Sequence, residues 1–101
     1  MTTIADRVAR GAAYLDVCEP GWWERIDLDK LDLRKPCRCI LGQLDTDRQE
    51  HDFWSLIAAR FGLDVFEDDD QRLGFNALGH SERAFANLTA AWRALIEARR
   101  G

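Results

Sequence analysis

The sequence predicts an all-α fold: a compact, small helical domain of three main amphipathic helices plus short helical turns. Three observations carry that prediction. Apolar side chains recur at helical spacing in three separate stretches. Each stretch opens at a residue suited to cap a helix, and the connections between them are short and irregular. A chain of 101 residues holds one hydrophobic core, so residues 1–101 are expected to form a single domain.

The first helix is expected from about Thr3 to Val17. Thr3 can cap it, and Asp6, three residues on, completes a capping box and suits the positive end of the helix dipole. Ile4, Val8, Ala12 and Leu15 make its buried stripe. Gly11 sits in mid-helix, where it costs about 1 kcal/mol relative to alanine, and so predicts that another element packs close there. Pro20-Gly21 ends the helix.

Trp22 and Trp23 follow, adjacent and therefore about 100° apart on a helix, so that one is expected inside and the other at least partly exposed. Ile26, Leu28, Leu31 and Leu33 then recur at mixed spacings of two and three. This predicts a short helical turn around 21–26, then an irregular segment anchored by its apolar residues, with a second turn near Asp29–Leu31. Pro36 can open a further helical turn over CRCILGQL.

The second main helix is signalled by two overlapping capping boxes, Thr46 with Gln49 and Asp47 with Glu50. Phe53, Trp54, Ile57, Ala58 and Phe61 give it one broad apolar face, and Gly62 stops it. Residues 63–80 fit two structures, a minor two-stranded β element pairing 63–66 with 72–75 or a helical turn at 68–73. The last helix is capped by Ser81 and striped by Phe85, Leu88, Trp92, Leu95 and Ile96, with Arg99 and Arg100 at the negative end of its dipole. The core is expected where Phe85, Leu88 and Trp92 meet the Trp54/Ile57/Phe61 face and Ile4, Val8 and Leu15.

Charge is unevenly distributed along the chain. Residues 45–70 carry nine acids against Arg48 and Arg60, and residues 71–101 carry five arginines against Glu82 and Glu97. Such asymmetry argues against a nucleic-acid partner, which needs a continuous basic face to displace counterions from phosphates. No apolar run reaches 18 residues and no charged leader precedes an apolar segment, so a cytoplasmic protein with no membrane partner is expected.

Cys37 and Cys39 stand one residue apart in an apolar run, with Cys18, His51 and His80 scattered singly. A structural zinc site wants two ligand pairs, usually with two to four residues between partners. The one-residue gap, the lack of a second pair and the neighbouring Ile40, Leu41 and Leu44 favour thiols that pack as small hydrophobes. Reduced cysteines are expected, with Cys39 the more buried of that pair, and no cofactor. Neither a phosphate-cradling glycine loop, a His-Glu-x-x-His motif nor a nucleophile elbow is present, so catalysis draws no support from the sequence. The stronger candidates are for protein contact: the Trp22/Trp23 pair, and the acidic run Asp68, Asp69, Asp70, whose charge could steer a basic partner. With this many aromatics, self-association into a symmetric dimer is a further expectation.

Arg7-x-x-x-Gly11, Pro20-Gly21-Trp22, Ile26-Asp27-Leu28, Leu31-Asp32-Leu33, Pro36-Cys37-x-Cys39-x-Leu41-Gly42-Gln43 and the later Gly74-Phe75-Asn76 form a pattern over most of the chain. In that pattern the chain resembles a family of small uncharacterised proteins of actinobacteria and the bacteriophages that infect them. The segment 45–70 departs from the family's usual run. The resemblance brings no activity or catalytic residue, but it implies an actinobacterial or phage origin, in keeping with twelve arginines against two lysines and thirteen alanines. The expected function is a small non-enzymatic protein-interaction module aimed at a host protein. The alternative is a small-ligand or metal-binding protein organised around Cys37 and Cys39.

Overall fold

The computed structural model describes residues 3–35, 38–44, 62–63, 69–76 and 81–101. Five helical segments appear among them: α1 (Ile4–Cys18), α2 (Trp22–Arg25), α3 (Ile40–Leu44), α4 (Asp69–Arg72) and α5 (Glu82–Arg100). The helix expected from Thr46 to its stop at Gly62, with Phe53, Trp54, Ile57, Ala58 and Phe61, lies outside the described residues up to position 61, as do Pro36, Cys37, His51, Asp68 and His80.

The two long helices begin where their caps place them. Thr3 Oγ1 accepts the Asp6 amide at 3.1 Å and the Asp6 carboxylate accepts the Thr3 amide at 3.2 Å, a complete capping box. Ser81 Oγ accepts the Ala84 amide at 3.1 Å and starts α5. Val8, Ala12 and Leu15 on α1 face Leu88, Trp92 and Ile96 on α5, all of them buried, and the two helices pack along one another.

Gly11 marks the closest approach. A Cβ there would run into the Leu73 carbonyl oxygen and stand 2.9 Å from two carbons of the Trp92 ring. The glycine is what lets the 71–76 turn and Trp92 reach the backbone of α1. Gly74 completes the turn in the left-handed region at φ 75°, its backbone packed under Arg7 and Val8. Trp92 Nε1 donates to the Gly74 carbonyl at 2.6 Å, so burying that indole leaves no donor without a partner. The Trp92 ring stacks on Phe75, 5.4 Å between centroids and 12° between planes, and takes Trp22 edge-on at 5.6 Å and 88°. Three aromatic rings, ordered Trp22, Trp92, Phe75, therefore run through the core.

Among the described residues Arg7 is the buried charged side chain in an otherwise apolar interior. It is buried, and its guanidinium donates to the Gln71 carbonyl at 2.7 Å and the Asn76 carbonyl at 2.6 Å, tying α1 to the 71–76 turn. Burial pulls Arg7 below the ordinary arginine value.

Two expectations for the connections separate here. Over 72–75 no strand forms: Asp69–Arg72 coil as α4, and Leu73–Gly74 turn back toward α1. The physical reason is the left-handed Gly74, which folds the chain onto Arg7 where a pairing partner would need it extended. Among the described residues no strand occurs, and the domain is all-α. The helical turn expected over the whole of CRCILGQL begins later, at Ile40.

Segment 26–35 has no periodicity of its own and is held by polar side chains. Gln43 Oε1 accepts the Asp27 amide at 2.6 Å, while its Nε2 donates to the Asp27 carbonyl at 3.2 Å and the Arg38 carbonyl at 3.0 Å. Thr89 Oγ1 accepts the Leu33 amide at 3.0 Å, and Arg93 donates to the Leu28 carbonyl at 2.9 Å. Arg100 closes α2, donating to the Trp23 carbonyl at 2.8 Å and the Ile26 carbonyl at 2.6 Å. With these bonds made, Ile26, Leu31 and Leu33 can stay buried in a segment without regular structure.

Candidate interaction surface

The adjacent tryptophans divide as their 100° offset requires. Trp22 is fully buried and Trp23 half-buried against the edge of the core. Trp22 Nε1 donates to Asp16 Oδ1 at 3.0 Å, and the same carboxylate receives Arg99 at 2.6 and 2.9 Å. The Arg99 guanidinium also lies 5.5 Å from the Trp22 ring centroid, within reach of its π face. The hydrogen bond from Arg99 chiefly holds Asp16 below the usual carboxylate value; burial opposes it, and the Trp22 hydrogen bond and the Arg99 charge add to the lowering, while the same pairing raises Arg99. Trp22 is thus a core residue, and of the pair only Trp23 meets solvent.

Asp69 and Asp70 open α4, with Asp69 half-buried. Burial first, then a hydrogen bond with Cys18, then the negative charges of Cys18 and Asp69 raise the Tyr14 hydroxyl above the ordinary tyrosine value. Cys18 is an exposed thiol at the end of α1. Cys39 is buried just before α3, where its Sγ accepts the Gly42 amide at 3.3 Å in the position an N-capping oxygen would occupy. Among the described residues no three His, Cys, Asp or Glu side chains gather as a metal site. None of the described helices is long and apolar enough to cross a membrane.

A concave feature lies elsewhere, beside α5. A groove of about 560 Å³ is lined from α5 by Glu82, Phe85, Ala86, Thr89, Ala90, Arg93, Ala94 and Glu97, and on its other wall by Asp32 and Arg34. The α5 residues follow spacings of three, one, three and one, so they form a single stripe over four turns, about 22 Å long at 1.5 Å per residue. Its wall is built by contacts already named: Thr89 and Arg93 fasten the 28–33 backbone to α5, and Arg34 pairs with Glu82 at 2.9 Å. The floor is apolar, with half-buried Phe85 and the methyl groups of Ala86, Ala90 and Ala94.

Neither Arg83 nor Glu97 has an ion-pair or hydrogen-bond partner among the described residues, and both are exposed. Seen down the α5 axis, Arg83, Ala86, Ala90, Ala94 and Glu97 fall within about 80° of one another. One seam of the helix is therefore small and apolar in the middle, basic at the start and acidic at the end.

The apolar stripe of α5 that the sequence displays belongs to its other side, and alanines carry too weak a hydropathy signal to mark this one. The signal was present as alanine at 86, 90 and 94, one per turn on the side opposite Leu88, Trp92 and Ile96. No protein-family model, curated protein or solved structure matches the chain.

Proposed function

We propose that this chain is a small, non-enzymatic protein-interaction module of the cytoplasm, and that its docking surface is the groove beside α5. The observation that carries the reading is the groove itself: four turns of exposed helix with an apolar floor and a polar rim, held against a wall that side-chain hydrogen bonds fix in place. Small side chains on the seam favour an α-helix as occupant, because they let a second helix axis come within the 8–10 Å of close helix packing. The charges define that helix further. It carries an acid to meet Arg83, a base to meet Glu97, and a small or apolar seam between them.

The resemblance to actinobacterial and phage proteins supports a host protein as the target. Trp23 stands on a different part of the surface and is kept as a second contact. The inward-turned Cys39, whose sulfur receives the Gly42 amide, supports protein binding over a ligand or metal site at Cys37 and Cys39.

Affinity purification from an actinobacterial lysate with wild type and Ala90→Arg, both checked for folding, tests the reading. A specific partner retained by wild type and lost by Ala90→Arg is the expected result. A partner held equally by both removes the groove as its site. Capture of no protein, with a co-purifying small molecule or metal seen by native mass spectrometry, removes protein binding as the function.

A further inference from the structure

The partner helix described above has a counterpart in this chain. We propose that the groove takes α5 of a second copy, the two helices lying antiparallel about a two-fold axis at Ala90. The proposal rests on the reading of the groove as a protein-docking surface and names its occupant.

The argument is the order of residues along the seam. Setting Ala90 against its own copy in an antiparallel pair places Ala86 opposite Ala94 of the second chain and Arg83 opposite its Glu97. The two-fold axis repeats both pairings, as an isologous interface requires. Ala90 stands seven positions from Arg83 and seven from Glu97, so the seam complements itself in charge about its own midpoint. A parallel pair would set Arg83 on Arg83 and Glu97 on Glu97, so charge also selects the orientation. The two residues that meet are both exposed, and neither has a partner within the described part of one copy.

Size is compatible. A stable pair buries on the order of 1,200 Å² in total, or about a tenth of the 6202 Å² that each copy exposes. The 28–34 wall and Phe85 stand beside the seam to add to what the two helices cover.

Sedimentation at tens of micromolar, on chains carrying Cys18→Ser and Cys37→Ser so that neither thiol can cross-link, is the test. Wild type is expected to dimerise. Glu97→Arg and Arg83→Glu, each confirmed as folded by circular dichroism, should each weaken the dimer about tenfold, because each turns two attractive pairs into repulsive ones. The double variant Arg83→Glu/Glu97→Arg should regain the dimer, and an equimolar mixture of the two single variants should associate where neither does alone. Ala90→Cys should cross-link into a covalent dimer on mild oxidation. Monomeric wild type overturns the proposal, and so does a dimer indifferent to both charge reversals. If wild type is monomeric and a host helix is still captured through Ala90, the docking reading stands and only the second copy is removed.

Discussion

The two sides of α5 are built on opposite terms. Toward α1 it presents Leu88, Trp92 and Ile96, fully buried, with the Trp92 ring filled on every side by Phe75, Trp22 and the backbone at Gly11. Away from α1 it presents Ala86, Ala90 and Ala94, exposed and touching little within the described chain. The first side admits almost no change, because every volume around Trp92 is taken. The second has room for more side chain, and what it lacks is an occupant. One helix thus separates what holds the molecule together from what it offers to a partner, and substitutions on the two sides should fail in different assays.

The largest effect is expected from Trp92→Ala. It removes two ring contacts and the donor to the Gly74 carbonyl, and should cost about 3–5 kcal/mol, enough to leave a domain of this size largely unfolded. Urea denaturation measures it, and a small change would place Trp92 outside the core. Gly11→Ala comes next. Its Cβ meets the Leu73 backbone and the Trp92 ring, so a net loss of about 2 kcal/mol is expected despite the better helix propensity of alanine. A gain in stability would show that α1 and the 71–76 turn are not in contact.

Loss of the α1 cap in Thr3→Ala should cost about 1 kcal/mol in the same assay, and an unchanged midpoint would show the capping box idle. Asp16 gives a smaller, pH-dependent effect. Its value is lowered in the fold by Arg99, so its contribution is present above the unfolded value near 3.8 and is lost as pH falls through the folded value. Asp16→Asn should therefore flatten stability against pH below about pH 4, and because the pair is partly exposed it should cost less than about 1 kcal/mol at neutral pH. An acid limb identical to that of wild type would show the pair contributes nothing. Smallest of all, Ala90→Arg should shift stability by no more than about 0.5 kcal/mol, which sharpens the contrast with Trp92 two residues away.

Legibility in the sequence followed the same division. Both long helices, their caps and the close approach at Gly11 could be read, because periodicity, capping oxygens and an unfavourable mid-helix glycine are local signals. The irregular 26–35 segment could only be recognised as irregular. What holds it is Gln43 bonding Asp27 and Arg38, Thr89 bonding Leu33, and Arg93 and Arg100 reaching carbonyls of residues 23–28, contacts that join distant positions and leave no periodic trace. Position alone gives Arg99 and Arg100 to the helix dipole, yet they spend their donors on Asp16 and on the end of α2.

For the candidate site the reading was poorer. The Trp pair attracted attention because large aromatics are common interface anchors, but Trp22 is consumed by Trp92, Asp16 and Arg99. The groove escaped because alanine is neutral on most scales, and three alanines in register gain meaning only once the opposite side is known to be buried.

Photo-cross-linking tests the division most directly, with benzoylphenylalanine placed in turn at Ala90 and at Val17, an apolar residue 83% exposed on α1. Position 90 is predicted to give protein adducts at high yield, and position 17 few. Adducts formed from position 17 with none from position 90 would contradict the assignment of the outward side of α5 as the surface this protein uses.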